Sequence, residues 1–379
     1  MSLYLRDDER AIRVQRMVND WTKSGLLVPE QKDRILPELQ VNLRRTNIFL
    51  RVTLFVFGYL IVNALTGLFV VTLNLSESAT MYLAAFAAAA FFAVAQVQVQ
   101  RFRLYRFGIE EAAAVASVSF LAIAASMAFY PTFSMLQAMI AAAAGSFLLF
   151  RRFGYVYAGV AATLFVALIP FGTAQVDTVR RLAAIALMMT VFFIARERRQ
   201  DHDWDYPGDA DAVIEAVAWA VLYLVLNLKA SAWLSSPDEL GLFYWATYAA
   251  IWLLPTVGLF LAIRDRHRLL LDLNIVMALA TLMSNKAYLG AEPKPWDPIW
   301  LGVLLITIAI GLRRWLASGE QGGRRGFVAH RLLASEKQRL ALAGAATVFA
   351  PGATPSHAHE SPSIGGGGSS GGAGASGKF

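Results

Sequence analysis

The chain has 379 residues, 57% hydrophobic and 16% charged, and its mean hydropathy of +0.49 lies far from that of a soluble domain of ordinary composition. It contains no cysteine, which excludes disulfides, thiolate nucleophiles, thiolate-held zinc and cysteine-held iron–sulfur clusters. The formal charge of +7 would suggest nucleic acid for a soluble protein, but membrane proteins gather Lys and Arg around their spans, so no nucleic-acid partner is expected.

Residues 1–46 are polar with one apolar stripe, in which Ala11, Val14, Val18 and Trp21 recur at three- and four-residue spacing. This is one face of a helix that should end near Gly25, a residue suited to a left-handed cap. Pro29 fits the first turn of a second helix, PEQKDRIL, with Glu30 favourably near its N-terminus. The expectation is a cytoplasmic helical hairpin that packs under the membrane rather than a DNA-reading helix-turn-helix. Trp21, Gly25-Leu26-Leu27 and Glu30-Gln31, followed by the Arg-rich NLRRTNIFLR, resemble the N-terminal region of a family of bacterial multi-span membrane proteins, a domain of unknown function. The resemblance covers residues 1–75 well and the rest by general character. It implies a bacterial inner-membrane location and a short cytoplasmic hairpin, with no activity attached.

Apolar runs able to cross about 30 Å of hydrocarbon as helix fall at 48–74, 80–98, 112–130, 132–150, 153–173, 179–195, 212–235, 240–263, 268–289 and 297–312. They predict an all-α, polytopic transmembrane bundle of about ten spans over residues 47–312. The polar segment before Ile48 is too long for the n-region of a signal peptide, so the first span is expected to insert the chain itself. Arg-rich connections alternate with Arg-poor ones. Arg101, Arg103 and Arg106, then Arg151 and Arg152, then Arg196, Arg198 and Arg199, then Arg264, Arg266 and Arg268 lie on one side. Of the 34 Lys and Arg, only Arg180, Arg181, Lys229, Lys286 and Lys294 fall on the other. The positive-inside rule then places both termini in the cytoplasm.

Two short stretches repeat. Arg106-Phe107-Gly108 recurs as Arg152-Phe153-Gly154, and EAVAWAVLYLVLNLKA at 215–230 recurs as DLNIVMALATLMSNKA at 272–287, acid first and Lys-Ala last. Either a helical pair was duplicated in parallel orientation, or Ala-rich segments match by chance. Residues 313–350 form a basic segment in which a helix from about Val328 to Leu342 or a flexible tail are both open readings. Residues 351–379 are Gly/Ser-rich and expected to be disordered, either a native tail or an engineered linker; His357 and His359 within it make a weak metal site at most.

The charges near the spans carry what functional signal there is. Glu215 and Lys229 stand fourteen residues apart, which at about 100° per residue returns to within about 40° of the starting direction; Asp272 and Lys286 repeat the arrangement. One face of each helix would carry an acid near its inner end and an amine near its outer end, and charge at depth needs water, a headgroup or a partner. Arg51, Glu215, Asp272 and Asn274 are therefore the candidate lining of a polar cleft between spans one, seven and nine, able to admit an ion or a lipid headgroup, with Glu110 and Glu111 at the height of Arg51. Lys229, Lys286 and Asn285 mark the outer level, within reach of Asp177, Asp238, Glu239, Glu292 or Asp297. The plainer account is that all of these groups are interfacial or bond across helices.

Other chemistry is thin. There is no Walker loop, His-Glu-x-x-His pair, Gly-x-Ser-x-Gly elbow or dinucleotide fingerprint, and none of the five His falls inside a span. DHDWDYPGDAD at 201–211 groups five Asp without the spacing of a helix-loop-helix calcium site and reads as a solvated loop. No cofactor, metal or catalytic residue is expected. The leading functional expectation is a permease-like or lipid- or ion-handling membrane protein with the bilayer as its main partner. The alternative is a non-catalytic scaffold or accessory subunit that meets a membrane-protein partner through the hairpin or tail.

Overall fold

The computed structural model describes residues 3–4, 6–23, 27–128, 134–173, 175–201, 208–231, 241–265, 267–290, 294, 296–319, 323–324 and 327–328. Helix α1 (Arg6–Lys23) begins with Asp7, Asp8 and Glu9 in its first turn and ends on Lys23, charges that complement its dipole. Ile12 and Val18 are its buried residues, while Ala11, Val14 and Trp21 of the expected stripe are half-buried. Helix α2 (Pro29–Ile35) starts on its proline, and the Gln31 side chain accepts from Val28 N at 3.2 Å. The hairpin does not stand alone. Tyr4 and Ile12 bury into the same core as Ala95, Ala113, Leu149, Phe153 and Tyr155 of the apolar region, and Leu3 N donates to Arg152 O at 2.8 Å.

Ten further helices fall on the ten apolar runs: α3 (Ile48–Thr72), α4 (Glu77–Phe102), α5 (Ile109–Ala128), α6 (Ser134–Phe153), α7 (Val156–Leu168), α8 (Asp177–Asp201), α9 (Gly208–Leu226), α10 (Leu242–Arg264), α11 (Arg268–Tyr288) and α12 (Asp297–Ala317). Among the described residues six are long and apolar enough to cross a bilayer: α3, α4, α5, α8, α10 and α11. Length and composition therefore support six of the expected crossings of about ten. Helix α7 has 13 residues before a 3-10 turn at Ile169–Gly172, α6 carries Arg151 and Arg152 in its last turn, and α9 carries Asp211 and Glu215.

Consecutive helices pack as hairpins, α4 on α5, α6 on α7, α8 on α9 and α10 on α11; α3 lies along α5, α5 along α6, α7 along α9, and α9 against α11. Alanines make the α4–α5 approach close, with Ala84, Ala87, Ala88 and Ala95 buried on one helix and Ala112, Ala113, Ala114 and Ala116 on the other. Local signals set the helix ends. Asn47 Oδ1 accepts from Leu50 N at 2.7 Å to start α3, and Arg181 Nη1 donates to Val225 O at 2.8 Å to close the last turn of α9. A two-residue pairing of β1 (Gly323–Arg324) with β2 (Phe327–Val328) follows α12. The tail from 329, including most of the expected amphipathic segment, His357 and His359, lies outside the described residues, as do Asp238, Glu239, Glu292 and residues 202–207 of the Asp-rich loop.

Candidate functional site

Helices α3, α5, α6 and α7 enclose a partly open groove of about 780 Å³. Its walls are apolar and its small residues make the room: Ala138 and Ala142 on α6, Ala158 and Ala161 on α7, with Phe55 and Phe165 closing the sides. The charged groups of the lining gather at one end, where Arg51 of α3, Glu111 of α5 and Tyr157 of α7 meet, while Ser119 and Ser146 are the other polar residues of the walls. Eleven residues separate Glu111 from Ala122 along the wall, about 16 Å of helix, close to the depth of one leaflet when the hydrocarbon core is about 30 Å thick.

The polar end is built by a turn. Gly108 adopts φ +111°, and a Cβ there would lie 2.2 Å from Arg51 O, so only glycine lets the start of α5 approach α3 this closely. Glu110 Oε1 accepts from Phe107 N at 2.6 Å and is spent on capping its own helix, whereas Glu111 faces α3. There Arg51 Nε donates to Glu111 Oε2 at 2.7 Å and Nη2 to Oε1, a two-pronged pair with the carboxylate buried and the guanidinium one-quarter exposed. The Tyr157 hydroxyl, which also lines this end, has no hydrogen-bond partner among the described residues. Behind it sits a layer of buried tyrosines, Tyr4 donating to Leu104 O at 3.2 Å and Tyr155 stacked on Phe153 and Tyr157. Burial pushes the Tyr4 hydroxyl well above its ordinary range, so it stays protonated.

The four residues expected to line one cleft are not brought together. Arg51 pairs with Glu111, one of two acids that the sequence placed at its height. Glu215 is fully buried on α9, where Arg199 Nε donates to its Oε2 at 2.6 Å and Arg196 Nη1 to its Oε1 at 3.4 Å; both arginines also pair with Asp265. Asp272 is 63% exposed and lies 3.8 Å from Arg268 one turn earlier. Asn274 is fully buried, accepts from Trp219 Nε1 at 2.9 Å and donates to Leu270 O at 2.7 Å. The contact of α9 with α11 is thus a packed seam, continued by Tyr223 with Thr281 at 2.9 Å and Asn227 with Ser284 at 3.0 Å.

At the other end, Lys286 meets Asp297 at 2.5 Å, one of the partners expected for it. Asp177 is engaged by Arg181 at 2.9 Å. Lys229 follows the end of α9 in a turn and sits 5.6 Å from the Tyr244 ring, so the same-face arithmetic that paired it with Glu215 does not apply. Asn285 Oδ1 accepts from Tyr248 at 2.7 Å. Sequence reasoning missed Tyr157, His267 and Asp265. His267 caps α11, its Nδ1 accepting from Leu270 N at 2.9 Å, while its Nε2 stands 3.9 Å from Glu215 Oε2.

No family model, curated protein or solved structure matches this chain. The functional reading therefore rests on the groove and on the charges around it.

Proposed function

We propose that this is an integral membrane protein that handles an amphiphile, admitting its chain into the groove between α3, α5, α6 and α7 and holding its head at Arg51, Glu111 and Tyr157. The observation that carries the reading is a leaflet-deep apolar groove with one ion pair at a single end. The permease-like expectation is thereby relocated from spans one, seven and nine to α3 and the α5–α7 walls. Support for membrane-embedded short helices comes from α9, which packs antiparallel against the long α8, with Arg199 bonded to Glu215 near one end and Arg181 to Val225 near the other. With those helices counted, the chain makes about ten passes with both termini in the cytoplasm, and the Arg-rich ends of α3–α7 face inward. The resemblance of the N-terminal region would place it in a bacterial inner membrane.

A photoreactive alkyl probe in reconstituted vesicles tests the reading. Crosslinks should map to Val115, Ala122, Met139 or Phe165, and Ala138→Phe should suppress them. Crosslinks spread evenly over the lipid-facing helices and insensitive to Ala138→Phe would refute it. An impermeant label applied from the cytoplasmic side should modify the 201–211 loop; modification from outside alone would overturn the sidedness. The accessory-subunit reading keeps one supporting observation, that α2 buries none of its residues. Substitution across its exposed face should then lose a partner in pull-down without loss of stability.

A further inference from the structure

Resting on the amphiphile-handling reading, we infer that the groove selects an amphiphile with a single alkyl chain and an oxyanion head, carboxylate or phosphate, bound by the face of Arg51 that Glu111 leaves free and by the Tyr157 hydroxyl. A guanidinium carries five N–H donors in a planar fork. Glu111 takes one at Nε and one at Nη2, and these are the hydrogen bonds of the Arg51 guanidinium among the described residues. One N–H of Nη1 and the second of Nη2 therefore lie parallel and away from the carboxylate as a preformed end-on fork. Such a fork matches the two oxygens of a carboxylate or phosphate.

Three further observations favour an anion over a neutral or cationic head. Glu111 already neutralises Arg51 as a pair, so a cation would have to compete for a carboxylate that is almost wholly buried and doubly bonded. The Tyr157 hydroxyl beside the pair has no partner among the described residues and can donate. The same ends of the helices carry Arg44 and Arg45 before α3, Arg101 in the last turn of α4 and Arg103 just past it, and Arg151 at the end of α6, all exposed, which makes the approach to the groove positive. Capacity argues for one chain. At about 780 Å³ the groove is the size of a small-molecule site, and its length along α5 matches one extended chain reaching through one leaflet. Glu111 acts as a positioning residue: it fixes the plane of Arg51 and touches no part of the guest.

Equilibrium binding to the full chain in neutral-lipid nanodiscs tests the inference, with hexadecanoate, hexadecyl phosphate and hexadecanol as probes and Ala138→Phe as the groove-blocked reference for bulk partitioning. Wild type should bind one or both anions at least about tenfold more tightly than the alcohol, the worth of a charge-assisted hydrogen bond, and the tighter anion identifies the head. Arg51→Gln alone would strand Glu111, so the informative variant is Arg51→Gln with Glu111→Gln. That variant should keep alcohol binding and lose the preference, while Tyr157→Phe should lower anion affinity severalfold and leave the alcohol unchanged. Equal binding of all three probes by wild type, or a preference that survives the double variant, would overturn the head assignment and leave the groove reading intact. Probe binding that Ala138→Phe does not alter would sink the groove reading itself.

Discussion

Neutralising Glu215 and neutralising Asp272 should have very unequal consequences, although the two acids open matching sixteen-residue frames. Glu215 has no exposed surface, and the two arginines bonded to it are 13% and 11% exposed. In Glu215→Gln, Arg196 and Arg199 would share Asp265 alone and leave one uncompensated charge among groups that water scarcely reaches. Breaking a buried pair in this way costs about 3–5 kcal/mol. Asp272, 63% exposed and 3.8 Å from an Arg268 that is 70% exposed, belongs with surface helix pairs worth about 0.3–0.5 kcal/mol. Reversible unfolding in mixed micelles, titrated with a denaturing detergent, measures the difference. Glu215→Gln should shift the folded-to-unfolded ratio by about a hundredfold or more, and Asp272→Asn by little more than twofold. Adding Arg199→Gln to Glu215→Gln should recover part of the loss, since the pair acts as a unit. If Glu215→Gln falls within about 1 kcal/mol of Asp272→Asn, the buried cluster does not stabilise the fold as its geometry requires.

A Cβ on Gly258 would lie 2.0 Å from Asn274 Oδ1, so Gly258→Ala should displace the amide and break its bond to Trp219, at a cost of about 1–3 kcal/mol; a thermal melt equal to wild type would show that α10 gives way instead. His267 should make stability pH-dependent. Burial, helped by Arg199 and opposed by Glu215 and Asp265, holds its imidazole below the ordinary value of 6.5. Its contribution is therefore complete above about pH 6.5 and is lost as pH falls through the lower folded value, when a proton on Nδ1 would also remove the cap of α11. His267→Asn, which keeps a capping acceptor, should show a smaller fall in Tm between pH 7.5 and 5.5, and identical falls would refute the assignment. Tyr4→Ala should lower stability by about 3 kcal/mol, because the ring is buried edge-on against Tyr105 at 4.9 Å; an unchanged Tm would mean that the N-terminal segment folds independently of the helices beneath it.

Helix positions were legible because hydropathy runs report them directly, and every apolar run received a helix. What hydropathy does not encode is the direction in which a helix faces. Glu215 and Asp272 hold the same place in their helices, yet α9 is packed by α7, α8, α10 and α11 and turns its acid onto Arg199, while Asp272 of α11 looks outward. The end of α9 was hidden for a related reason. Its run stays apolar to 235 without Gly or Pro, but Asn227 Oδ1 accepts from Ala230 N at 3.1 Å and turns the chain, which takes Lys229 off the helix. His267 is outside the usual set of capping residues, so nothing in RHRLLLD marked it. The groove left still less trace, because its room comes from alanines, and a missing side chain reads in sequence as one more apolar position.

The seam between α9 and α11 has the length of a conduction path, and its composition argues against one. Glu215, Trp219, Tyr223, Asn227 and Ser231 follow one another at four-residue spacing on or just past α9, facing His267, Asn274, Thr281 and Ser284. A proton relay needs every member to accept as well as donate, and the Trp219 indole only donates. Asn274 in turn is held at both ends, by Trp219 and by Leu270 O, with the Gly258 backbone pressed against it. Such interhelical bonds average about 0.6 kcal/mol each in membranes, so a file of them fixes α9, α10 and α11 as one block without carrying charge. The α3–α7 half is tied differently: among the described residues the side-chain hydrogen bonds between its helices are Arg51 to Glu111 and Tyr59 to Ser119 at 3.1 Å, both from α3 to α5. Among the described residues no side-chain hydrogen bond joins α3 to α6 or α7, so parting α3 from that wall breaks none, which is what the proposed admission of a guest between them requires.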